Sequence, residues 1–70
     1  MLGYRCYFLG NESRIIARQD FYADSDIEAL TTARSLASEN KPHGFELWEG
    51  KRYLHSEDCV GRIPFLGSAA

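Results

Sequence analysis

The sequence predicts a two-layer α+β fold in the order β-β-α-β-β, with one helix packed on an antiparallel sheet. Three observations lead there. Residues 2–9 are rich in aromatics and poor in helix formers, as a strand is. Residues 24–42 carry helix start, stripe and stop signals in the right order. Residues 45–55 read as a hairpin whose facing side chains match in kind. Seventy residues leave room for one domain only. At that size roughly 60% of the extended surface is buried on folding, so the core is marginal without a staple or a partner.

In the first strand, Leu2, Tyr4, Cys6 and Phe8 fall on one face, and Arg5, Tyr7 and Leu9 on the other. Gly10-Asn11-Glu12-Ser13 is turn chemistry. A second strand runs from about Arg14 to Ala23. Ile15, Ala17, Phe21 and Ala23 share one side of it, with Gln19 a polar exception, and Ile16, Arg18, Asp20 and Tyr22 share the other. A bulge near Gln19-Asp20 would change that assignment.

Ser25 and Glu28 have capping-box spacing, and Asp24, Asp26 and Glu28 put negative charge at the positive end of the helix dipole. Ala29, Leu30, Ala33, Leu36 and Ala37 make the core-facing stripe, while Ile27 falls off it and is expected to pack at the helix end. Asn40 is expected to take the left-handed conformation that ends the helix, and Pro42 blocks its continuation. Gly44 then opens the strand Phe45–Glu49. Gly50-Lys51 forms a two-residue loop, and Arg52–His55 returns. That loop pairs Glu49 with Arg52, Trp48 with Tyr53 and Leu47 with Leu54. Trp48 and Tyr53 then share one face; Phe45, Leu47 and Leu54 share the other. Residues 1–56 make the domain. Residues 57–70, including the apolar Ile63-Pro64-Phe65-Leu66, make a C-terminal tail that is flexible or docked on the sheet.

Composition narrows the function classes. The chain is 44% hydrophobic and 26% charged, with a net charge of −2. That balance is ordinary for a globular protein and disfavours a polyanion binder or a basic membrane anchor. No secretory leader and no apolar run of about 20 residues stands out, so a cytoplasmic protein with no membrane contact is expected. Cys6 and Cys59 are far apart, and neither pairs with His43 or His55 at zinc-motif spacing, so no metal or cofactor is expected. His55, Ser56 and Asp58 look like a triad, but neighbours in a strand point to opposite faces. Asp24, Asp26 and Glu28 are capping charges with no pocket attached. No phosphate-binding glycine motif is present. No catalytic residues are assigned, and the chain is not expected to be an enzyme.

The informative surface is the sheet face that one helix leaves bare. Trp48, Tyr53, Tyr7, Arg5, Glu46 and His55 are expected there, an aromatic set unusual for a face in water. Three covers are weighed: a second copy of the chain, the tail, or a partner. The expected function is a protein-interaction module that forms a homodimer or binds another protein, with Trp48, Tyr53 and Tyr7 as anchors and Arg5 and His55 at their margin. The alternative is a single-stranded nucleic-acid binder using the same aromatics with Lys51 and Arg52; the acid excess counts against it.

Tyr4-Arg5-Cys6-Tyr7-Phe8-Leu9, the acidic helix start Asp24-Ser25-Asp26 with Glu28-Ala29, and Gly44-Phe45-Glu46-Leu47-Trp48-Glu49-Gly50 together resemble a group of very short uncharacterised alphaproteobacterial proteins. The likeness spans about residues 4–54, with Gly-Phe-Glu-Leu-Trp its most distinctive piece. It implies a bacterial, cytoplasmic setting and carries no functional residues with it.

Overall fold

The computed structural model describes residues 1–59. It contains β1 (Leu2–Leu9), β2 (Ile15–Ala23), α1 (Asp26–Asn40), β3 (Gly44–Glu49) and β4 (Arg52–Asp58), with a 3-10 turn at Asn11–Ser13. The four strands form one sheet in the order β2-β1-β3-β4, and every neighbouring pair is antiparallel. β2 and β3 therefore run parallel to each other with β1 between them. α1 is the crossover that joins them, which is why it lies across β1, β2 and β3. The α+β architecture expected from the sequence is the one observed. β4 continues through Glu57 and Asp58, which pair with Phe45 and Gly44. The boundary expected at residue 56 thus falls inside a strand. Cys59, also in the proposed tail, is half-buried against the core and donates from N to His43 O at 2.7 Å, and residues 60–70, with 63–66 among them, lie outside the described residues.

The core follows from the alternation in β1. Tyr4, Cys6 and Phe8 all turn toward the helix and are buried with Ala23, Phe45 and Leu47. From α1 the buried residues are Ala29, Ala33 and Ala37, one turn apart, flanked by the half-buried Leu30 and Leu36. Side chains this small let the helix backbone lie close to the sheet, so the strands supply the bulk. Phe45 and Leu47 are each 1% exposed, and burying a side chain of that kind contributes about 1.5–3 kcal/mol. Ile27 does not pack at the helix end; it is 81% exposed, on the far side from the alanine stripe.

The helix starts as expected and stops one residue later. Glu28 N donates to Ser25 Oγ at 3.1 Å, and Asp24 N donates to Glu28 Oε1 at 2.7 Å. At the other end Asn40 stays helical, with Nδ2 donating to Leu36 O, and Lys41 takes the left-handed conformation at φ 52°. A side chain with Cβ is strained there. Lys41→Gly is therefore expected to raise stability by about 1 kcal/mol in chemical denaturation. A loss of stability would show that the lysine side chain has a structural role.

Two bulges change the parity read from the sequence. At the β1–β2 turn, Phe8 faces Ala17 but Leu9 faces Ile15, so Ile16 is the extra residue. Pairing through Gln19 and Asp20 is regular. Ile15 therefore moves to the parity of Leu9, away from Ala17. Gly10 suits this turn because a Cβ on it would come within 2.9 Å of Ile16 Cγ2. The second bulge lies in β4: Trp48 faces Tyr53, but Leu47 faces His55, leaving Leu54 unpaired. The expected Leu47–Leu54 pair is not formed. The loop itself is as expected, with Gly50 at φ 60° and Glu49 opposite Arg52.

Candidate functional site

Register builds the bare face in rows. One row runs Asp20–Arg5–Trp48–Tyr53 across all four strands, and the next runs Arg18–Tyr7–Glu46–Ser56. Directly opposed residues share a face, so these eight side chains stand on the side that α1 does not touch. Trp48 and Tyr53 meet edge to face with ring centroids 5.3 Å apart. Trp48 Nε1 donates to Glu46 Oε1 at 3.2 Å, which holds the indole over the sheet. Tyr53 remains 51% exposed.

Two of the charges among these aromatics, Arg5 and Asp20, neutralise each other within the face. Arg5 donates from Nε to Asp20 Oδ1 at 2.7 Å and from Nη2 to Asp20 Oδ2 at 3.2 Å. The hydrogen bond from Arg5 holds the Asp20 carboxyl below its ordinary range, and the same bond raises the Arg5 guanidinium further. Beyond this row lies a shallow depression of about 570 Å³. Gly3, Arg5, Asp20, Tyr22, Trp48 and Lys51 line it. Gly3 leaves room for the Tyr22 ring, 3.6 Å from where a Cβ would stand, and Tyr22 is 73% exposed.

The structure brings four of the five expected surface residues together: Trp48, Tyr53, Tyr7 and Arg5. The fifth, His55, is elsewhere. The Leu54 bulge turns it to the helix side, where its ring lies 6.3 Å from that of Phe45 and Nε2 is 2.9 Å from Glu57 Oε1. Glu57 also accepts from Arg34 Nε at 3.0 Å, so this end of β4 is tied to α1. Tyr22, Gly3 and Asp20 belong to the surface but were not singled out from sequence. Tyr22 and Asp20 alternate with Phe21, so the signal was present; their position beside Arg5 required the strand order.

Arg52, a cation of the nucleic-acid alternative, also faces the helix side. Its two terminal nitrogens donate to the two Asp26 oxygens, each at 3.1 Å, and Nη2 donates to Glu49 Oε1 at 2.8 Å. The Tyr4 hydroxyl donates to the same Asp26 at 2.8 Å. One carboxylate in the first helical turn thereby joins β1 and β4. The bonds from Arg52 and then Tyr4 hold Asp26 below its ordinary range. Burial first, and then the Asp26 bond, push the Tyr4 hydroxyl up to about 12. Among the described residues no cluster of His, Cys, Asp and Glu could hold a metal ion, and no helix is long and apolar enough to cross a membrane. Comparison with protein-family models, curated proteins and solved structures gives no match.

Proposed function

We propose that this chain is a small interaction module, cytoplasmic and without catalytic chemistry of its own, that self-associates by stacking the open faces of two sheets. The observation that carries this reading is the Trp48–Tyr53 pair, with Tyr7 and Tyr22, on the side opposite α1. Sheets pack face to face about 10 Å apart through interdigitated side chains, and a second such layer would enlarge the small core that α1 and the sheet enclose. Arg5 and Asp20 already satisfy each other, which lowers the penalty for bringing them into an interface. The nucleic-acid alternative needs free cations beside the aromatics. Of its candidates, Arg52 is held by Asp26 and Glu49, whereas Lys51 stands at the depression beside Trp48.

The test is solution mass across concentration for the wild type, Trp48→Ala and Tyr53→Ala. Each substitution is expected to weaken association about tenfold or more, as loss of a central aromatic anchor does. Superimposable mass curves for the three proteins would overturn the reading. Salt-sensitive binding of single-stranded oligonucleotides, lost in Tyr53→Ala, would replace it with the alternative.

A further inference from the structure

A sheet of four strands has two edges, and here they differ. β4 carries its bulge in mid-strand and commits Arg52 and Glu57 to partners on α1 and β3. β2 is longer, with nine residues, has no proline, and keeps its bulge at one end. Among the described residues, it pairs regularly from Ala17 to Ala23 with β1 on one side only. Such an edge is a template for another strand unless the protein blocks it. Most of β2 is exposed on both faces; only Ala23 is buried and Phe21 half-buried.

The direction of the unpaired groups follows from the ladder. Cys59 N donates to His43 O at 2.7 Å, which turns the odd-numbered residues at the start of β3 toward β4 and the even-numbered ones toward β1. Carried through the register of β1, this turns Gln19 and Phe21 toward β1. The main-chain N–H and C=O of Arg18, Asp20 and Tyr22 then point away from the sheet.

We infer that β2 is a second self-contact, pairing antiparallel with β2 of another copy about a two-fold axis at Gln19. The charges select this register. It sets Arg18 opposite the second copy's Asp20, twice by symmetry, with Ala17 opposite Phe21. A shift of two residues in one direction puts Arg18 against Arg18, and in the other Asp20 against Asp20. Like charges directly opposed are destabilising, so both shifts are disfavoured. A shift of one residue would place the two helices on opposite sides of the joined sheet. The axis at Gln19 keeps both helices on one side and both aromatic faces on the other. The contact is isologous, so by itself it joins two copies and no more. Its main-chain bonds form at the edge and do not involve Trp48 or Tyr53, so variants at those two residues separate it from the stacking proposed above.

The test uses the full chain in a Trp48→Ala background, in which the face contact is weakened. Arg18→Asp and Asp20→Arg are each expected to weaken association about tenfold or more, because each sets like charges opposite one another twice. Mixed in equal amounts they are expected to recover it, since every opposed pair then has opposite signs. Variants that associate like their parent, a parent that stays monomeric, or a mixture no better than its components would overturn the inference. A covalent readout covers the case in which Asp20→Arg, deprived of its Arg5 bonds, fails to fold. In a Cys59→Ser background, Gln19→Cys should cross-link to a dimer under diamide, because it faces itself across the axis. Ala17→Cys should not, because it faces Phe21. Equal cross-linking at both positions would also overturn the inference.

Discussion

Phe45→Ala is expected to leave much of the protein unfolded at physiological temperature. Phe45 is 1% exposed and sits where β3, β4 and α1 meet, beside Leu47, Ala37 and the His55 ring. Removing a buried phenyl group costs about 3–5 kcal/mol, from lost transfer energy plus the cavity left behind. A domain of this size has a total stability of about 4–10 kcal/mol at typical values per residue. The helix cannot close the gap, because its facing residues are alanines already against the sheet. The melting temperature should fall by more than about 12 °C. Tyr22→Ala, at a 73% exposed position on the open face, is the control and should change stability by no more than about 0.5 kcal/mol in the monomer. Equal effects at the two positions would mean that the helix packs on the wrong side of the sheet.

The second large effect is expected from alkali. Tyr4 and Cys6 are neighbours on the buried face of β1, 2% and 0% exposed, and both are neutral when protonated. Burial pushes the Cys6 thiol from 9.0 up to about 12 and the Tyr4 hydroxyl from 10.0 up to about 12. The unfolded chain releases these protons at the lower values and the folded chain at the higher ones. The stability each group contributes is therefore complete below its unfolded value and is lost as pH rises through its folded value. Thermal melts should show a constant midpoint up to about pH 9 and a steep decline from there toward pH 12. Cys6→Ala and Tyr4→Phe should each flatten the decline. A midpoint independent of pH across that window would show that neither group is desolvated. Asp26 and Asp20 act in the opposite direction: their carboxylates are held low by Arg52 and Arg5, so their contribution is lost only as pH falls below the ordinary carboxylate range.

The open face links these stability arguments to function. The same β1 strand that buries Tyr4, Cys6 and Phe8 presents Arg5 and Tyr7 on its other side. Changes to the second set should therefore alter association far more than folding. That separation is what the Trp48, Tyr53 and Arg18 variants measure.

What the sequence determined by itself was local. The β-β-α-β-β order, the Ser25 cap, the alanine stripe and the sides of β1 follow from side-chain periods and capping chemistry within a few residues, and so does the pairing of Glu49 with Arg52 and Trp48 with Tyr53. These depend on covalent geometry, which every residue carries with it. Tertiary structure decided the rest. The strand order placed Asp20 beside Arg5 and set Tyr22 over Gly3. The bulge at Leu54 sent His55 to the helix side, and the crossover brought Asp26 to both Tyr4 and Arg52. Lys41, not Asn40, absorbed the left-handed turn that leads α1 back to β3. A bulge is one extra residue accommodated by a neighbouring strand, and an ion pair between distant elements exists only once both are packed. Neither leaves a period in the chain, because each is a compromise among segments that are far apart in sequence.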